Sequence, residues 1–346
     1  MRPGVLNPSE SGKYIADNAT HVKIIDEGLA KIADEIINSI ADGEVKMPET
    51  GGDDIHPSKD HVRAADWVFM VDALNFCFWS FKESAKWTVD GHSGYYALEA
   101  ALSRAIKEGV DIVNPEYYSK ITKEEFGHIM RGDTEAKIPL IEERVKILHD
   151  VGKKLIAKYD GNFENCIKKC EKSALKLIDL VVEDFPCFDD STIYKDKKVA
   201  IYKRVQILVS DLSYFFGSNR FGRFDDLDSL TMFADYRVPQ VLMYFGALVY
   251  TDDLMGKLRN DTLLPSGSEE EVEIRGCSIH AVELLKKKIQ EKLEKLPNQI
   301  SSDVLNTRSS IVPNSATIDY FLWCYRRKYA RELESIPFHK TIGIYY

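Results

Sequence analysis

Residues 229–242 read Ser229-Leu-Thr-Met-Phe-Ala-Asp-Tyr-Arg-Val-Pro-Gln-Val-Leu242. One carboxylate, Asp235, stands among apolar residues beside an aromatic and a cation, and Pro239 follows where a helix can open. An acid there has two uses. It caps the helix that begins near Pro239 by accepting backbone N–H groups, or it faces a cleft and does chemistry. Held at a helix N-terminus it stays ionised, so it can stabilise an oxocarbenium-like transition state or orient a water. Phe233, two residues earlier, is either core or a flat surface on which a heterocyclic base stacks.

Outward from this stretch the periodicity is helical, which makes the chain mainly α with at most a few short strands. His21 to Ala41 carries an isoleucine-rich stripe that Gly43 ends, and a breaker-rich polar loop follows over 44–61. Trp67 to Phe81 is dense in aromatic residues and belongs in the core or on a pocket wall. Helices are predicted over 95–108, after the Thr122–Glu125 capping box, over 139–158 and 163–184, over 199–216, from Pro239 to Tyr250, from near Asp252, from Ser266 to about Leu296, and over 317–334. No repeat of 20–50 residues is visible. The chain reads as one domain over 1–346, an arrangement that also allows two helical lobes around a central cleft.

Composition narrows the function. The 346 residues are 44% hydrophobic, enough for a sizeable core. No apolar run approaches the roughly 18–20 residues that span a bilayer, and the N-terminus has no apolar signal region. A cytoplasmic location is expected, with the nucleus as the alternative. The net charge of −9 disfavours a nucleic-acid polymer as substrate. The six cysteines are scattered; Cys166 and Cys170 are four apart, but no second pair completes a zinc site, so reduced core thiols are expected. The phosphate-loop, dinucleotide and HExxH signatures are all missing. No cofactor and no metal are expected.

Further candidates are polar residues in apolar surroundings. Asp319 sits near the start of an aromatic helix, as a cap or as the receiver of a cationic or polyhydroxylated group, and Trp323 lies one turn on along the same face. Lys203 and Arg204 interrupt the apolar run 199–216; they either snorkel to solvent or bind a phosphate in a cleft. Asn75 is the polar exception within the aromatic run. His56 lies in the polar loop, exposed unless that loop covers a site. Together these outline a pocket with two acids, aromatic walls and cations, which suits hydrolysis of a small nucleotide-like substrate better than redox or phosphoryl transfer.

Several segments carry a resemblance: Leu6-Asn-Pro-Ser-Glu-Ser11, Trp67-Val-Phe, Asp72-Ala-Leu-Asn-Phe-Cys-Phe-Trp-Ser80, Ser93-Gly-Tyr-Tyr, Pro139-Leu-Ile-Glu-Glu-Arg144, Tyr202-Lys-Arg-Val-Gln-Ile-Leu208, Thr231 to Gln240, Val272-Glu-Ile-Arg-Gly-Cys-Ser278, Asp319-Tyr-Phe-Leu-Trp323 and the ending from Pro337 to Tyr346. In this order they resemble the queuosine salvage family, the queuosine 5′-monophosphate N-glycosylases. The resemblance implies a fold related to helix-hairpin-helix DNA glycosylases and hydrolysis of queuosine 5′-monophosphate to release queuine for salvage into tRNA. It implies Asp235 as the catalytic acid, either nucleophile or transition-state stabiliser, and His56, Phe233, Ser315, Asp319 and Trp323 as queuine-binding residues, with Asp319 on the protonated secondary amine. Lys203 takes a catalytic or phosphate role. A monomer acting on a small molecule is expected, without membrane or stable nucleic-acid partners. The rival readings are a base-excision glycosylase and a non-catalytic helical protein that binds queuine or nucleotides.

Overall fold

The computed structural model describes residues 2–41, 60–81, 84–217, 221–295 and 313–346. Helices dominate, from Pro8–Asn18 to Ser315–Lys328, and the strands among the described residues are two to four residues long. No described helix is long and apolar enough to cross a membrane. The expected capping box at Thr122 is present, with Glu125 N–H donating to Thr122 Oγ1 and Thr122 N–H to Glu125. A second one, Asn7 with Glu10, opens the helix Pro8–Asn18.

Three expected helices are shorter than their apolar runs. The first begins at Asp26 because Val22–Ile24 is a strand, and the helix through Pro239 ends at Tyr244 because Leu248–Tyr250 is a strand. These two strands pair antiparallel with each other. Both are short apolar runs with β-branched residues, which periodicity cannot separate from helix ends. Gly246 makes the second switch at φ +74°, in the left-handed region open to glycine. Similarly, 199–216 divides into the strand Lys197–Ala200 and the helix Lys203–Phe216. That strand joins Ser191–Tyr194 antiparallel and Val5–Leu6 parallel in a three-stranded sheet.

The expected helix over 163–184 is two helices, Glu164–Lys168 and Ala174–Asp184. Glu171 and Lys172 both have positive φ between them, and Ser173 caps the second. The carboxylate of Asp226, distant in sequence, accepts from Ser173 Oγ, Ala174 N–H and Leu175 N–H, so a tertiary contact fixes this helix start. The six cysteines are free thiols.

Two hydrophobic clusters form the interior. One gathers the helices Ala64–Ala73, Tyr95–Lys107, Ile141–Tyr159, Ala174–Asp184 and Lys203–Phe216. The other gathers Pro8–Asn18, Asp26–Ala41, Val238–Tyr244, Glu269–Lys295 and Ser315–Lys328. Helices Pro8–Asn18 and Glu269–Lys295 cross closely. A Cβ added at Gly276 would meet Ile15 Cδ1 at 2.4 Å, and one at Gly12 would meet Ile279 Cγ2 at 2.7 Å. The stretch 230–238 runs between the clusters: Leu230, Phe233 and Tyr236 pack on the first, and Met232, Ala234 and Val238 on the second. Asp235 is therefore delivered to the boundary by the alternation of its neighbours.

Arg204 is buried and neither snorkels nor faces a phosphate, correcting that expectation. Its guanidinium donates to the carbonyls of Asp72, Ala73 and Cys187. Arg144 likewise donates to Pro139, Leu74 and Phe76. Together they add charged donors to the carbonyls where the helix Ala64–Ala73 ends, beside the backbone bonds from Asn75 N–H to Asp72 and from Phe76 N–H to Leu74. The aromatic run continues from there as an irregular segment, with Phe69 and Phe76 in the core and Phe78, Trp79 and Phe81 on a cavity wall.

Candidate active site

A cavity of about 1000 Å³ opens between the two clusters, with Asp235, Asp319, Phe233, Trp323 and Lys203 on its walls. Asp235 Oδ1 accepts from Arg237 N–H and Val238 N–H, both at 2.8 Å, at the start of the helix Val238–Tyr244. Capping and facing a cavity are thus compatible: no described donor takes Oδ2, and the residue lines the cavity. Burial raises the carboxyl pKa, while Lys203 and the two backbone N–H groups pull it back, leaving it above the usual value.

Asp319 is not a helix cap. Asn314 caps the helix Ser315–Lys328, accepting from Thr317 N–H. Asp319 Oδ1 instead accepts from Phe233 N–H at 3.0 Å, fixing the backbone that carries the aromatic platform. Burial, then the like charge of Asp235, pushes the Asp319 carboxyl well above the carboxylate range. An arriving cation reverses that shift by supplying the missing opposite charge. Trp323 stands between Tyr96 and Tyr320, with ring centroids at 5.9 and 6.1 Å, and the Arg327 guanidinium lies over both Trp323 and Tyr96.

Lys203 is 7% exposed, and its pKa is pushed down to about 8, by burial first, against the opposing pull of Asp235 and Asp72. It stands at the N-terminus of the helix Lys203–Phe216, whose cavity face continues through Ile207, Asp211 and Tyr214. Behind the wall, buried Asp72 is raised well above its usual value by burial and by Asp211.

Ser315 does not join this group. It is wholly buried, its hydroxyl donates to Glu283 at 2.6 Å, and its neighbours Asn314 and Ala316 line the cavity instead. As the first residue of its helix, it presents its side chain to the helix Glu269–Lys295. His56 lies outside the described residues. Asn75 lines the cavity and donates to Asp72 at 3.3 Å. Tyr95, Glu99 and Asp211 also line the cavity and were not among the sequence candidates. The available signal was an acid within each of two apolar helical runs, 97–102 and 205–216.

A family model described as queuosine salvage protein matches residues 55–346. The chain belongs to the queuosine salvage protein family. It is 42% identical to the queuosine 5′-phosphate N-glycosylase/hydrolase of Bos taurus and 40% identical to that of Mus musculus, over 99% of both chains in each case. It is 34% identical to the protein of the same name from Sphaerobacter thermophilus, over 100% of this chain and 98% of the other. Family members therefore extend over the whole length that carries the cavity walls, from Trp67 to Tyr346.

Proposed function

We propose that the protein hydrolyses the N-glycosidic bond of queuosine 5′-monophosphate and releases queuine for salvage into tRNA. The observation that carries this reading is Asp235, held by two backbone N–H groups at a cavity shared with a buried ammonium, a second carboxyl and aromatic faces. That set suits a reaction in which positive charge develops on a sugar beside a flat base.

In this mechanism Phe233 and Trp323 hold the base by its faces, and Asp319 reads its amine through a charge-assisted hydrogen bond. The ribose is placed with its anomeric carbon at Asp235. As the C1′–N bond breaks, the bonding pair goes to the base, and the ionised carboxylate stabilises the ribosyl cation. Water supplies hydroxide to C1′ and a proton to the base, so ribose 5-phosphate and queuine leave. Lys203 keeps positive charge beside Asp235, which favours its ionised form despite burial.

A monomer is the proposed active unit, since described residues of a single chain bring Asp235, Asp319, Phe233, Trp323 and Lys203 to one cavity. The net charge of −9 weighs against duplex nucleic acid as substrate. The test is incubation of the protein with queuosine 5′-monophosphate, following free queuine by mass spectrometry. Release is expected, and binding without release would leave only a carrier protein.

A further inference from the structure

Away from Asp235 the cavity has a second polar wall. Tyr95 and Glu99 reach it from the helix Tyr95–Lys107, and Asp211 reaches it from the helix Lys203–Phe216. The Tyr95 hydroxyl donates to Asp211 Oδ2 at 3.4 Å and also hydrogen-bonds Glu99, so it stands between two carboxyl groups from two helices. Glu99 is 1% exposed. Lys203, buried on the same cavity, makes no side-chain hydrogen bond to any described residue and feels the charges of both Asp235 and Asp211. It therefore lies between the reacting pole and this second wall.

The spacing matches a ligand. Lys203 and Asp211 are eight residues apart on one helix, about 12 Å at 1.5 Å per residue. The base queuine has that order of length: a deazapurine ring, an aminomethyl link and a five-membered ring bearing two hydroxyls. The aromatic wall runs the same way, from Asp319 to Trp323 one turn on and then to Tyr96, which neighbours the Tyr95–Glu99 pair. We infer that Tyr95, Glu99 and Asp211 form the subsite that receives the vicinal hydroxyls of the base's five-membered ring. This rests on the function proposed above and extends it from the glycosidic bond to the far end of the base.

The chemistry suits a diol, which must both donate and accept. Burial pushes the Glu99 carboxyl up to about 8 and raises that of Asp211, so near neutrality the pair holds a proton and offers both an acceptor and a donor. The Tyr95 hydroxyl fixes their separation. A ligand lacking the hydroxyls forfeits its hydrogen bonds to Glu99, Asp211 and Tyr95, which is how a polar site discriminates against such an analogue.

The test compares two free bases by calorimetry: queuine, and 7-aminomethyl-7-deazaguanine, which keeps the amine and lacks the diol ring. For Asp211→Asn and Glu99→Gln, queuine affinity is expected to fall about tenfold and that of the truncated base by less than twofold, as loss of a hydrogen bond to a charged group predicts. Tyr95→Phe, which keeps every charge, should lose a smaller part of the same preference. Equal losses for both bases would mean that the wall reads the amine or only holds the fold, and would overturn the inference; so would wild-type protein that binds the two bases equally. Because the readout is binding of the free base, it separates from the release assay. Absent hydrolysis counts against the function proposed above, whereas absent discrimination counts against this subsite alone.

Discussion

Arg275 and Lys203 are both buried cations, and their surroundings treat them in opposite ways. Arg275 makes two bonds to Asp190, at 3.0 and 2.6 Å, one to Glu271 at 3.2 Å and one to the Ala234 carbonyl at 3.1 Å, and its guanidinium lies over the Tyr346 ring. Burial opposes its charge, but the two carboxylates outweigh burial and its pKa rises. Lys203 has carboxyl groups around it but no such bonds, burial wins, and its pKa falls to about 8. A charge matched by partners is fixed and structural; a charge left facing a cavity stays available for a ligand. The Arg275 ion-pair group also touches the cavity residues. Arg275 holds the carbonyl next to Asp235, and Asp190 accepts from Lys203 N–H at 3.2 Å.

The sharpest way to break this contrast is at Asp235, which is both partnered and available. Asp235→Asn keeps an oxygen for the two backbone N–H groups but removes the charge. We expect kcat/KM for queuine release to fall by about 10³-fold or more, on the scale of a lost transition-state contact, with unfolding free energy nearly unchanged because asparagine caps as well as aspartate. Asp235→Ala should lose the same activity and about 1 kcal/mol of stability as well. An Asn variant with near-normal turnover would make Asp235 a cap alone.

On the paired side, Arg275→Met strands Asp190 and Glu271 in the interior. Denaturant unfolding should show a loss of about 3–5 kcal/mol, the usual consequence of breaking a buried ion pair from one side. A loss below 1 kcal/mol would mean that the cluster is solvated and the comparison false.

The pH dependence separates the two cations next. Lys203 is charged below about 8 and neutral above it, so the rate of queuine release should fall as pH rises through 8. Its contribution to stability has the opposite sign. Between about 8 and 10.5 the unfolded chain holds the proton that the folded one has lost, so this group's contribution to stability rises with pH there. Arg275 contributes no titration in this range, because its pKa is raised. Lys203→Arg should move the alkaline limb to higher pH; a limb that stays put would assign it to another group. The smallest effect is expected at Phe233→Ala, where loss of one stacking face weakens queuine binding by about 1–3 kcal/mol, measured by calorimetry.

Much of this was legible in the chain. Asp235 before Pro239 announced both a cap and a pocket acid, because capping depends on neighbours two and three residues on. Asp319 and Trp323 were legible because one helical turn places them on one face. Ser315 was not, since its side chain direction was settled by Glu283 on another helix. Glu99 and Asp211 look like ordinary helix residues until two helices bring them to one tyrosine.

The sequence by itself determined the helical class, the capping box at Thr122 and the acid that stands at the cavity, because each depends on spacings of a few residues. Tertiary structure decided that Val22–Ile24 and Leu248–Tyr250 are strands, that Asp226 starts a helix across the molecule, that Arg204 serves backbone carbonyls and that the Lys203 ammonium has no hydrogen-bond partner among the described residues. These features depend on which distant groups share a buried space. Burial then sets the cost of every charge left there without a partner.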